Sequence, residues 1–321
     1  MTNPPYQRLD RDKLVAIIGD FYKFLTTFYI PVSALKYPPP EGWQNITPET
    51  TKGFPRSPIV IDLLKHLPYI DEKESKNMIT NIHYKSDVVD YSIVEPHQWT
   101  EEDFQIGALS LQEWIEEMEE TKKEDPEEED EVNDNGDMDG NNDRELLDNC
   151  ENSSEAEEEE NWWDGDNPED IKLENMIVLA DGYESGGRCI VLDVFKGNIH
   201  EDMLECNLLS EVSVEQFFDD LRGKFERLEY VPVPGISGKY SSEGRFYENV
   251  LEVDEINESL IGELGGDFAQ QYKRIYQLHG WPGAAYEKEE ALAAIHEHTK
   301  RRQEAEETWE ESNDGNDNGE L

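Results

Sequence analysis

His296 and His298 flank Glu297 and suggest a metal-ligand pair at first sight. Side chains two apart on a helix point in different directions, whereas helical zinc sites use i, i+4. The surrounding segment is polar, so a solvated helix end is the better reading. His279 falls where a helix C-terminus would sit, and a histidine there meets the dipole and the last carbonyls. Gly182, Gly186 and Gly187 could cradle a phosphate, but no Lys-Ser/Thr pair and no apolar helix follows them. Glycines that permit positive φ in a strand-to-strand turn explain the cluster better. Asn135-Gly136-Asp137-Met138-Asp139-Gly140 starts like a calcium loop, yet position twelve is Leu146, with Glu145 one place early. Asp314 to Gly319 imitates the same pattern, so both read as weak cation attraction rather than a built site. Cys150, Cys189 and Cys206 lack metal-type spacing. No Ser/His/Asp or Cys/His arrangement stands out, and acids are too abundant for any one carboxylate pair to be singled out. The expectation is therefore no catalytic residue, no cofactor and no bound metal.

Ser153 and Ser154 precede a run of acids and are candidate phosphorylation sites for an acid-directed kinase. A polar spacer is the competing reading. The charge around them is part of a larger pattern: 76 Asp and Glu face 28 Lys and Arg, a net charge of −48. Residues 116 to 160 hold 23 acids against 3 bases, and residues 304 to 321 hold 8 acids and no base. The body keeps an acidic excess of its own. Such a chain repels phosphate backbones and anionic lipid surfaces, which argues against nucleic-acid and membrane partners. The unpatterned cysteines suit a reducing compartment. The N-terminus has no apolar signal core, and no stretch approaches ~18 consecutive apolar residues. A soluble protein of the cytoplasm is expected, with the nucleus open to it.

Positioning elements can be read from apolar spacing. Leu14, Ile17, Ile18, Phe21, Leu25 and Phe28 predict a helix over 10–29, stopped by Pro31. Pro38, Pro39 and Pro40 force an extended polyproline-like path, after which Gly42 and Trp43 fold back onto the body. Thr47-Pro48-Glu49 reads as a helix opening, and a short helix over 58–66 ends before Pro68. Two strands are expected within 78–94, and more around a DGYESGG turn and a DVFKGNI turn. Ser213 and Gln216 form a capping-box pattern for a helix over 213–228, with Phe217, Leu221 and Phe225 on its apolar face. Another helix spans 267–279, with Asp267 as its N-cap, and is closed by Gly280 and Pro282. A weakly apolar helix follows over about 287–307. The stretch from Thr121 to Glu160 has almost nothing to bury and is expected to be disordered.

Taken in order, these motifs resemble the fungal branch of the SMI/KNR cell-wall-assembly regulator family, within the SUKH superfamily. The resemblance rests on Pro39, Gly42, Trp43 and Pro68 in the opening segment and on Asp193 and Gly197 in DVFKGNI. It continues through SVEQFFDDLRGKFERLEYVPVPG, which holds Phe217, Leu221 and Phe225, and ends in RIYQLHGWPG, with Gly280, Trp281 and Pro282. It covers roughly 20–115 and 161–295. It implies one α+β domain, a mixed or antiparallel sheet of five to six strands packed by helices. The first part would span 6–115 and the second 161–295. The acidic insert 116–160 separates them, and a polar helix end with an acidic tail, 296–321, follows. Superfamily members work by binding proteins, so the resemblance implies a non-enzymatic interaction module and regulatory adaptor. Its protein partner would be one whose basic face suits an acidic body. An acidic chaperone for basic proteins and an enzyme with an unrecognised cleft are the alternatives.

Overall fold

Leu14, Ile18, Phe21, Leu25 and Phe28 line the buried side of helix α1 (Arg11–Phe28). Asp10 caps its start by accepting the Lys13 N–H at 2.8 Å, which satisfies one of the open donors of the first turn. The computed structural model describes residues 10–51, 56–71, 80–93, 173–203, 211–235, 244–250 and 268–314. The acidic insert, with Ser153, Ser154 and Cys150, lies outside them, as do Asp267 and Cys206.

After α1 come β1 (Leu35–Lys36), α2 (Pro58–His66) and β2 (Tyr69–Ile70). β1 and β2 pair antiparallel, Leu35 opposite Ile70. The helix opening expected at Thr47-Pro48-Glu49 is only a turn within the described residues. There the Thr47 and Thr50 hydroxyls accept each other's backbone N–H groups at 3.2 and 2.9 Å, a local alternative to helical bonding. α2 begins with Pro58 in its first turn, where the missing N–H costs nothing, and ends at Leu67 before Pro68.

The sheet is a six-stranded antiparallel meander in chain order: β3 (Asn81–His83), β4 (Ser86–Val88), β5 (Met176–Gly182), β6 (Arg188–Asp193), β7 (Asn198–Met203) and β8 (Val212–Ser213). Ile177, Ile190, Leu192 and Ile199 supply its side of the main core. Their neighbours Val178, Cys189 and Val191 point the other way and are also buried, so the central strands read as nearly continuous apolar runs.

Helix α3 (Val214–Glu226) follows β8 directly, and its Ser213 N-cap accepts the Gln216 N–H at 3.3 Å. It packs on α1 through a ring pair, Phe21 and Phe218, with centroids 4.8 Å apart. A two-stranded ribbon, β9 (Val231–Val233) with β10 (Arg245–Tyr247), precedes α4 (Phe268–Leu278) and α5 (Lys288–Asp314). Phe225 is fully buried and meets Phe28, Tyr29, Tyr230 and Phe246 within 6.1 Å. Trp281 stacks on Phe28 at 3.8 Å and donates its indole N–H to the Phe225 carbonyl at 3.0 Å. The fold is thus α+β, as the motif order implies. α5 runs to Asp314, past the end expected near 307. Its buried positions Ala291, Ile295, Thr299 and Arg302 recur at three- and four-residue steps, extending the packed face beyond 295.

Candidate functional site

Among the described residues, two places stand out. The first is a buried polar cluster beneath α3. His83 closes β3, Arg188 opens β6 and Glu201 lies on β7. Glu201 pairs with Ile190, two residues from Arg188, so the strand period puts Arg188 and Glu201 on the core face together with Ile190. Tyr230 arrives from the turn after α3, where Leu228 takes a φ of 53°. Lys224 reaches over from the last turn of α3.

The bonds fix the protons. His83 Nδ1 accepts the Tyr84 N–H at 2.8 Å, so the ring proton sits on Nε2. Nε2–H donates to Tyr230 Oη at 2.9 Å, and the Lys224 ammonium donates to the same oxygen at 3.3 Å. Arg188 Nε lies 3.2 Å from Glu201 Oε1, yet its Nε and Nη1 are buried with no aligned acceptor, so this is a charge contact rather than a hydrogen bond. Burial, then Lys224 and Arg188, hold His83 well below the usual imidazole range. Its 3.5 Å approach to Glu201 is therefore a contact of a neutral ring and not an ion pair. Burial raises Glu201 against the pull of Arg188 and Lys224. Tyr230 is also raised, by burial first and then by Glu248 and Glu201.

Chemically the cluster holds protons in place. His83 is bonded to a backbone amide and a phenol, and among the described residues no hydroxyl or thiol nucleophile of the kind used in acyl transfer is joined to it. The bond to Tyr230 spans 147 positions of sequence and ties β3 to the exit of α3. Among the described residues, no three His, Cys, Asp or Glu side chains come together to hold a metal.

The second place is the pair of segments that flank β1 and follow the Asp90 turn, which leave three large apolar side chains exposed. Val32 is 72% exposed, Tyr37 61% and Ile93 50%. Lys36 joins these segments. Lys36 Nζ lies 2.5 Å from Asp90 Oδ2 and 3.4 Å from Asp71 Oδ2, and the Asp90 side chain is almost wholly buried. Asp90 Oδ1 accepts the N–H and hydroxyl of Ser92 at 2.9 and 2.7 Å, which shapes the chain just before Ile93. Farther along, Gly42 N–H donates to Pro39 at 2.8 Å, and Trp43 donates its backbone N–H to Lys65 at 2.9 Å and its indole N–H to Leu67 at 2.8 Å. Gly42 is required twice here. Its φ is +76°, and a Cβ would meet the Lys65 carbonyl oxygen at 2.8 Å.

The residues singled out from sequence fall into separate structural roles. Pro39 is exposed beside Tyr37, Gly42 and Trp43 fasten the β1–β2 ribbon to the end of α2, and Pro68 is buried beside Gly19 of α1. Asp193 is buried at the β6–β7 turn and accepts the Phe195 and Lys196 N–H groups at 2.8 and 3.0 Å. Gly197 supplies that turn's φ of 77° and accepts the Val214 N–H at 3.0 Å, so the turn also seats α3. Phe217, Leu221 and Phe225 face the core. Trp281 is buried against Phe28, with Gly280 at its side and Pro282 exposed. Phe225 and Trp281 meet, whereas the ribbon residues and the Asp193 turn stand apart from them. Of the three glycines at the β5–β6 turn only Gly186 takes a positive φ, 77°, whereas Gly182 and Gly187 serve close backbone approach, since a Cβ on Gly182 would meet the Arg188 backbone at 2.9 Å and one on Gly187 would run into the Tyr183 carbonyl oxygen. His296 and Glu297 are exposed, while His298 is half-buried edge-on to Tyr272, with centroids 5.3 Å apart. The buried cluster itself carries no sequence signal, because no spacing rule links His83 to Tyr230. Comparison with protein-family models, with characterised proteins and with solved structures found no match.

Proposed function

We propose that this chain is a non-enzymatic protein-binding adaptor, related through its motif order to the fungal SMI/KNR regulators of cell-wall assembly and signalling. The observation that supports this most is the exposed apolar surface around β1. Large apolar side chains, Val32, Tyr37 and Ile93, are held out to solvent. The ion pair of Lys36 with Asp90 ties the segment that carries Val32 and Tyr37 to the turn that leads to Ile93. Apolar groups presented on a rigid support lose little entropy on docking, which is what an interface needs. The buried cluster, by contrast, spends its polar groups joining strands to α3.

On this reading the acidic body steers a partner with a basic face, and neither a cofactor nor a metal takes part. No helix among the described residues is long and apolar enough to cross a membrane. We assign the work to the cytoplasm, with the nucleus also open to it. The test is affinity purification of the tagged full chain from its native cell, followed by in vitro titration of each co-purifying protein. One saturable, stoichiometric protein complex is expected. Turnover of a small molecule by the purified chain would overturn the proposal. Salt-labile binding to many unrelated basic proteins would favour the acidic chaperone, a reading suggested by the charge blocks at 116–160 and 304–321.

A further inference from the structure

Tyr37, Pro38 and Pro39 each precede a proline, which drives all three away from the α region and into extended or polyproline geometry. Pro38, Pro39 and Pro40 have φ fixed by their rings. Covalent structure alone therefore sets a polyproline helix of about one turn, with three residues per turn. In such a helix Tyr37 and Pro40 share an edge. Both are exposed, as is Pro39, whereas Pro38 is half-buried and faces the body. Two of the three edges are thus open to a partner.

Both ends of this short helix are anchored. Lys36 is engaged by Asp90 and Asp71 on one side, and the Gly42 N–H closes onto Pro39 on the other. No uncompensated charge lies within it, and the next charge is the exposed Glu41. The ligand is therefore apolar, donates no backbone N–H from its prolines, and is ordered before binding. A groove lined with aromatic rings is the surface that fits it, because such grooves take the open edges of preformed polyproline. Tyr37 would fill an adjoining pocket, and Glu41 would favour a basic residue at the groove's far rim.

We infer that Tyr37 to Pro40 is a docking ligand for a partner domain with an aromatic-lined polyproline groove. This rests on the protein-binding reading and names its partner class. The test is an NMR titration of isotope-labelled SH3, WW and EVH1 domains with the unlabelled full chain. Groove resonances of at least one domain are expected to shift saturably. A synthetic peptide covering Lys36 to Trp43 should displace the chain from the same groove. Tyr37→Ser, and the double variant Pro39→Ala/Pro40→Ala, should each weaken binding by ~10-fold or more, the scale of losing an anchor. The inference is overturned if no groove responds to the full chain, if the peptide does not compete, or if both variants bind like the parent. The broader reading is judged separately with the purified native partner. If that partner binds the parent and both variants alike, the chain is still an adaptor and this ligand is not its contact.

Discussion

His83 shows how one residue can couple acidity to the fold. Its imidazole is buried neutral between Lys224 and Arg188, with Glu201 the carboxylate facing it, so its folded proton affinity is depressed. A depressed histidine stabilises the fold above its unfolded value of ~6.5, and that contribution is lost as pH falls through and below this value. Glu201 acts in the opposite sense and at lower pH, since its raised affinity favours the folded form on acidification. A comparison with His83→Gln separates the two. The variant should be less stable at pH 7.5, and the gap should narrow towards pH 5.5 by up to ~1.4 kcal/mol per unit. Urea unfolding at several pH values reads this directly, and a gap that stays constant would contradict it. Phe225 gives a second test at this scale. It is fully buried among aromatic rings, and Phe225→Ala should cost ~3–5 kcal/mol in the same measurement. Phe225 could be found from sequence because it repeats on a helical face. His83 could not, because its partner Tyr230 comes from a distant turn and only the folded sheet brings them together.

Among the elements, α1 and α3 were the most legible, since an amphipathic stripe with an N-cap at its head admits few alternatives. The Thr47 segment misled because Thr-Pro-Glu suits a helix start equally well as a threonine-bonded turn, and here the reciprocal threonine bonds prevail. The exposed surface around β1 was visible only in part. Its prolines announced an extended path, but the Lys36–Asp90 pair beside them depends on folding. Gly42→Ala should destabilise this junction by more than ~1 kcal/mol, because it adds both a strained φ and a backbone clash. A melting curve indistinguishable from the parent would show that the ribbon end relaxes freely. At the other end of the chain, the last buried position of α5 among the side chains described is Arg302, which lies over Phe268 at 4.5 Å. Truncation after Glu307 should shift stability by no more than ~0.5 kcal/mol, whereas truncation before Ile295 should remove a packed surface.

For the whole molecule, charge and core divide the labour. The buried aromatic network joins α1, α3 and the Trp281 turn, while the acidic blocks at 116–160 and 304–321 provide a long-range field. If recognition belongs to the exposed surface around β1, the blocks change how fast a partner arrives more than how tightly it stays. The most direct test is the association kinetics of the purified native partner. One form is the full chain. The other has residues 122–158 replaced by a short Gly/Ser linker and residues 308–321 removed. Adaptor binding through the body predicts that the shortened form still binds, with a slower on-rate, a weaker salt dependence and a nearly unchanged off-rate. Loss of all binding in a shortened form that still melts cooperatively would contradict it and assign recognition to the acidic segments.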